Sequence, residues 1–292
     1  LWPLDANGWL DLRAVGRLRS LIKSRRYDLV NSHLPRADLH AAAALASIPG
    51  VRLVSTKHGY DERFAKVTGR AVQFSSSLRA DLIIAISAHM ASMARTHGVA
   101  PWKRIAICHY GISTSQPSGS REEMRARIGL DSASFVIGSV GRLRREKGHR
   151  YLIEAMPLVL AQRADALLVL VGDGPEREAL STLAAVSGVT ENVRFVGQRE
   201  DAADLIGAFD VFTLPSLSEG FGLVLLEAMR WSCPIVASAL GSVEEVVGRE
   251  EEAGLLVRPA DAPAFARAIL ALAGDCLLYT SPSPRDRQTA RM

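Results

Sequence analysis

Two carboxylates eight residues apart open the reading of this chain. Glu219 and Glu227 lie at either end of a stretch running from Leu214 that includes Pro215, Ser216, Gly220, Phe221, Gly222 and Leu223. Carboxylates accept hydrogen bonds from sugar hydroxyls, and Gly220 and Gly222 let backbone approach a ligand closely. With a helix starting near Phe221, Glu227 would stand about two turns inside it. The neighbours of Glu227, from Val224 to Leu226 and Ala228 to Met229, are apolar. A carboxylate buried unpaired among them would be costly, which favours a functional role over a merely exposed helical Glu.

A second group precedes it. An apolar run from Phe135 to Val140 ends at Gly141 and is followed by Arg142, Lys147 and Gly148 before a helical pattern. A helix N-terminus offers free N–H groups and the positive end of a dipole. A planar guanidinium and a compact ammonium beside it suit a diphosphate. Arg144, Arg145 and Arg150 nearby keep a plain solvated basic turn in contention.

These groups need a scaffold that gathers strand ends, and the periodicity supplies one. Short continuous apolar runs alternate with helical patterns almost throughout, as expected for parallel sheets covered by helices on both faces. Strands are expected at 28–33, 51–56, 81–86 and 104–108. A second series follows at 135–140, 166–171, 193–196, 211–214, 235–237 and 255–257. Helices are expected at 10–26, 38–47, 64–78, 88–97, 147–160, 176–186 and 262–273. The segment 111–120 is rich in Ser, Gly and Pro, reads as a linker, and ends at a helix N-cap, Ser120. The fold class is α/β with two Rossmann-like domains, 1–112 and 113–275. In such sheets ligands sit beyond the carboxyl ends of the strands.

Composition narrows the class. Of 292 residues, 48% are hydrophobic and 23% charged, ordinary for a protein that buries large cores. No apolar run is long enough to read as a membrane span, and no secretory-signal layout opens the chain. Cys108, Cys233 and Cys276 are scattered, which points to reduced thiols in the cytoplasm and away from a disulfide or zinc framework. The last residues, 276–292, break the preceding pattern and resemble read-through of a sequencing adapter, so they are expected to be non-native. That tail carries half of the formal +4 charge, and no nucleic-acid partner is expected. The basic helix at 10–26 reads first as a solvated face, with contact to anionic lipid at the inner face of the membrane as the alternative.

Taken in order, Gly141-Arg142 with Lys147-Gly148, the stretch 171–176, the stretch 193–197, and 215–222 through Glu227 resemble glycosyltransferase family 4, the large retaining family with the GT-B fold. The similarity covers nearly all of residues 28–275. It implies transfer of a sugar from a nucleoside diphosphate sugar to an acceptor that is a glycan, a lipid-linked glycan or a small molecule, with retention and without metal or other cofactor. Arg142 and Lys147 match the residues that hold the diphosphate as it leaves. Glu219 matches the first Glu of the E-x7-E motif, expected on the transferred sugar. Glu227 matches the second, expected on the ribose. Gly220, Phe221, Gly222 and Leu223 match the turn whose amides approach sugar and phosphate, and Val196 and Gly197 match the place that receives the base. In the first domain, residues 54–60 resemble the family's strand-end His–Gly element, so His58 is expected near the reacting carbon. His33 holds another strand-end position facing the expected cleft, while His40, His89, His97, His109 and His149 are assigned structural roles.

Departures from the family pattern carry expectations too. The Gly-rich loop after the first strand has no counterpart, so the first domain is expected to lack its opening strand–helix units, and the tail is expected to stand in place of the helix that crosses back at the end. Two other readings stay open: a sugar-nucleotide epimerase of the same fold, and a non-catalytic binding module. A nicotinamide oxidoreductase fits poorly, since the stretch 138–141 is not G-x-G-x-x-G.

Overall fold

The computed structural model describes residues 4–7, 10–59, 77–96, 104–113, 115, 117–131, 134–248 and 253–274. Tyr60, His97, most of the helix expected at 64–78 and the tail at 276–292 lie outside the described residues. The chain divides into two compact units, Leu1–Tyr110 and Gly111–Met292.

In the first unit, α1 (Leu12–Arg25) starts where the Asp11 side chain accepts the amides of Arg13 and Ala14. It leads to β1 (Leu29–His33), α2 (Pro35–Leu45) and β2 (Arg52–Lys57). β3 (Leu82–Ala85), α3 (Ala88–Thr96) and β4 (Ile105–Ile107) follow. The strands pair in chain order, β1-β2-β3-β4, all parallel. Ile22, Ala44, Leu45, Leu53 and Ile83 form the core between α1, α2 and the sheet. His40 is structural, as expected: its Nε2 accepts the Asp11 amide and its Nδ1 bonds the Arg36 carbonyl.

The second unit opens with α4 (Arg121–Arg127), capped by Ser120 and Glu123 in a reciprocal capping box. Then come β5 (Phe135–Val140), a 3₁₀ turn (Arg145–Lys147), α5 (His149–Leu160), β6 (Ala166–Val171) and α6 (Arg177–Val186). β7 (Val193–Gly197), α7 (Ala202–Leu205), β8 (Val211–Leu214) and α8 (Leu223–Arg230) continue the series. β9 (Ile235–Ser238), α9 (Gly241–Val247), β10 (Leu255–Val257) and α10 (Ala262–Gly274) complete it.

The six strands run parallel in the order β10-β9-β8-β5-β6-β7. Alternate residues of the central strands feed two cores. Phe135, Ile137, Leu168 and Leu170 pack with α5, α6 and α10, while Val136, Val169 and Val171 pack with α4, α8 and α9. Burial on both faces explains why these strands read as unbroken apolar runs.

Two expectations about helices need correction. The helix expected from Lys147 begins at His149, because Gly148 has φ +68° and ends a 3₁₀ turn instead. Lys147 therefore sits on the turn, not on the helix. Likewise α8 begins at Leu223, since Gly222 has φ +82°, so Glu227 stands little more than one turn inside it.

Gly138 lies mid-β5 under Phe209, where an added Cβ would come within 2.0 Å of the ring. Gly138→Ala is expected to lower the stability of this unit by roughly 1–3 kcal/mol through overpacking, read as a lower urea midpoint.

Candidate functional site

The strand order reverses between β5 and β8, which are neighbours in space although three strand–helix units separate the start of one from the other in sequence. At such a switch point the loops after the two strands turn away from each other and leave a crevice. Here those loops are 141–148 and 215–222, the two segments singled out by residue type.

They are joined by contact. Lys147 Nζ lies 2.7 Å from Glu219 Oε2, with the two side chains 24% and 13% exposed. Ser216 Oγ donates to the same oxygen at 3.1 Å, and the Leu217 amide donates to the Glu146 carbonyl at 2.8 Å. Gly148 makes the approach feasible: a Cβ there would fall 2.0 Å from the Pro215 carbonyl oxygen. From the other side, Ser242 Oγ in α9 donates to the Glu219 backbone oxygen at 2.6 Å. Glu219 is thus held at both ends, by Lys147 and Ser216 at the carboxylate and by Ser242 at the carbonyl.

The arrangement leaves defined capacity. Lys147 carries three N–H donors, and the one bond to Glu219 leaves two. On Glu219 both bonds fall on Oε2, so Oε1 takes none among the described residues. The guanidinium of Arg142 is exposed and has no ion-pair partner among the described residues. The first amides of α5, those of His149 and Arg150, have no backbone acceptor there either. Two cations and two amides without a backbone acceptor among the described residues therefore lie on the segment that follows β5.

The other expected residues lie on the same loop, on α8 and at the end of β7. Phe221 is buried, Gly222 caps α8 in the left-handed conformation, and Leu223 opens the helix with its side chain exposed. Gly220 lies between Glu219 and Phe221 on the same loop. Glu227 is half-buried on α8 and makes no bond to Lys147 or Glu219. Burial holds its carboxyl above the usual carboxylate range, with Arg230 opposing and Asp204 adding to the effect. Val196 and Gly197 end β7, and Gly197 receives the Gly172 amide at 2.8 Å. Two strand spacings separate that end from β5, about 10 Å.

Two residues that hold Glu219 were missed from sequence. Ser216 and Ser242 are common residue types, and only the fold reveals their bonds to Glu219. His149, assigned a structural role, is 3% exposed; its Nδ1 has no partner among the described residues and its ring lies against Gly141. Burial, assisted by Lys147, pushes its pKa down to about 4.

In the first unit, His33 and His58 stand at the ends of β1 and β2. His33 Nδ1 is 2.6 Å from His58 Nε2, and His58 Nδ1 bonds the Tyr110 hydroxyl. Beneath them Asp38, 1% exposed, receives Lys57 Nζ at 2.5 Å on one oxygen and the hydroxyls of Ser32 and Ser55 on the other. Among the described residues no three His, Cys, Asp or Glu side chains group as a metal site requires, and no helix is long and apolar enough to cross a membrane.

Linkage gives His149 a measurable signature. Its folded pKa of about 4 lies below the unfolded value near 6.5, so the unfolded chain binds more protons between those limits. Its contribution is full above pH 6.5 and is lost as pH falls toward 4, a swing on the order of 3 kcal/mol. His149→Leu is expected to flatten the pH dependence of the urea midpoint across that window.

Comparison with known proteins identifies the family. The model described as Glycosyltransferase Family 4 matches residues 1–116, and that described as Glycosyl transferases group 1 matches residues 134–275. The lipopolysaccharide core biosynthesis mannosyltransferase LpsB of Rhizobium meliloti is 33% identical over 202 residues, covering 66% of this chain and 57% of that protein. A D-inositol 3-phosphate glycosyltransferase of Streptomyces scabiei is 32% identical over 267 residues, covering 83% and 59%. The chain thus spans under three fifths of the length of these curated relatives. The structure of HepE from Anabaena in complex with UDP superposes with a TM-score of 0.82 at 24% identity, over 95% of this chain and 77% of that one. With both units matched, and with the doubly wound parallel sheet and the Lys147–Glu219 pair at its switch point, the chain belongs to the family 4 glycosyltransferases of GT-B fold.

Proposed function

We propose that the protein transfers a sugar from a nucleoside diphosphate sugar to a hydroxyl of an acceptor, with retention at the anomeric carbon. The observation that carries this reading is the Lys147–Glu219 pair, on a loop that also carries the exposed Arg142. In this arrangement Arg142, the two remaining Lys147 donors and the α5 amides bind the diphosphate. Glu219 Oε1 accepts a hydroxyl of the sugar, and Glu227 accepts from the ribose. Val196 and Gly197, about 10 Å across the sheet edge, receive the base.

The chemistry follows from where charge develops. The bond between the anomeric carbon and the phosphate oxygen breaks, and its electron pair leaves with the diphosphate. A bond forms to the acceptor oxygen, whose proton passes to the departing diphosphate. Negative charge on the leaving group is met by cations already in place, which is electrostatic stabilisation without reorganisation. Their fixed charge does what a divalent ion does elsewhere, and metal independence is part of the proposal.

The acceptor is proposed to be a glycan, a lipid-linked glycan or a small polyol. The named activities of the relatives, on lipopolysaccharide core and on inositol phosphate, support that range. Work at the cytoplasmic face of a membrane fits the first of these, with exposed Arg13, Arg19 and Lys23 of α1 available to anionic lipid.

Calorimetric titration with a panel of nucleoside diphosphate hexoses, followed by transfer assays, tests the reading. Lys147→Ala and Arg142→Ala are each expected to lower turnover by about 100-fold or more with circular dichroism unchanged. EDTA is expected to leave the wild-type rate unaltered. Near-normal turnover in either variant would defeat the mechanism.

A further inference from the structure

His149 is the only histidine of the second unit and opens α5, directly after Lys147 and Gly148. It is 3% exposed, yet neither ring nitrogen has a hydrogen-bond partner among the described residues. Its Nδ1 is fully buried. The Cε1–Nε2 edge of the ring faces the start of the loop after β5: a Cβ on Gly141 would stand 4.0 Å from both atoms. Glycine carries no such atom, so no side chain at 141 covers that edge.

Resting on the glycosyl-transfer reading, we propose that His149 is a further residue that contacts the donor, its neutral imidazole donating a hydrogen bond from Nε2 to an oxygen of the diphosphate.

The tautomer follows from burial. A neutral imidazole carries one N–H and one lone pair. A buried N–H with no acceptor is rare in folded proteins, and an unused lone pair is the lesser cost. Nδ1 therefore holds the lone pair, and the proton sits on Nε2, at the Gly141 edge. That donor stands at the same helix end as the amides of His149 and Arg150, which have no backbone acceptor among the described residues. Several N–H groups at a helix N-terminus select an anion with several oxygens. An apolar side chain would fill the same space, and a histidine adds a donor to it.

Charge explains why the ring is neutral. Burial lowers the pKa of His149 to about 4, and the Lys147 ammonium adds to the effect. Arg142, Arg144, Arg145 and Glu146 share its loop, Arg150 follows it on α5, and Asp173 and Glu176 lie on the segment after β6 that meets this loop. Of these charged neighbours, Lys147 alone acts on its titration. An imidazolium would add a third cation to a segment that already carries Arg142 and Lys147. A neutral N–H adds a hydrogen bond without that repulsion. A diphosphate lying against the ring reverses the balance, because a nearby anion favours the protonated form.

The test uses the full chain with ¹⁵N-labelled histidine, together with calorimetry. In the free chain His149 is expected to be protonated on Nε2 at neutral pH, with a pKa of about 4. A saturating nucleoside diphosphate hexose, whose own phosphates do not titrate in this range, is expected to shift the Nε2 resonance and raise that pKa to about 5 or above. His149→Leu is expected to weaken binding of the same ligand about tenfold, with circular dichroism unchanged. His149→Gln, whose amide reaches the Nε2 position, is expected to recover part of the loss. An Nε2 resonance and a pKa that bound ligand leaves unmoved would overturn the contact, as would wild-type affinity in His149→Leu. Sugar transfer by the wild type would in that case leave the transferase reading standing. Inorganic pyrophosphate is the second probe. If it shifts the Nε2 resonance while no nucleoside diphosphate hexose binds or is transferred, the contact stands and the transferase reading falls. Silence toward both probes overturns both.

Discussion

The ion pair between Lys147 and Glu219 is the constraint on which the account of the second unit rests. It spans a gap that no local sequence could close, since 72 positions separate the two residues. The sheet closes it by placing β5 next to β8, so that the loops after both strands meet at one edge. Everything nearby serves that meeting. Gly148 admits the Pro215 carbonyl, Ser242 holds the Glu219 backbone, and the Leu217 amide reaches the Glu146 carbonyl. An exposed pair of this kind contributes little to stability. This one is partly buried and buttressed by neutral hydrogen bonds, so its consequence is geometric: an ammonium and a carboxylate oxygen are fixed where a phosphate and a sugar hydroxyl can be met together.

The first unit solves a related problem with a different device. Asp38 and Lys57 form an ion pair that is 1% and 8% exposed, a costly arrangement unless every lone pair and proton is used. The hydroxyls of Ser32 and Ser55 complete it. The charge of this pair is therefore spent inside the unit, while His33 and His58 stand at the ends of the strands above it. One unit holds an ion pair between the loops at its strand ends, and the other holds linked imidazoles there.

Much of this was legible in the residues. Strand runs such as Phe135–Val140 and Ala166–Val171 were placed to the residue, because burial on both faces leaves an unmistakable apolar block. The Ser120 cap was readable from Glu123 three positions on. Helix starts at His149 and Leu223 were misplaced because Gly148 and Gly222 adopt positive φ, and nothing in the neighbouring side chains announces it. The order of strands was not readable either, since pairing depends on contacts distant in sequence. For that reason Arg142, Lys147, Glu219 and Glu227 could be named in advance, but the direct bond between Lys147 and Glu219 could not. Nor could the roles of Ser216 and Ser242, or the fact that both nitrogens of His58 are taken.

A crystal structure of the chain with a nucleoside diphosphate sugar would test the central claim most directly. The account predicts the diphosphate within hydrogen-bonding distance of Lys147 Nζ and the Arg142 guanidinium, with a sugar hydroxyl on Glu219 Oε1. A donor bound with its diphosphate away from the loops after β5 and β8 would contradict it.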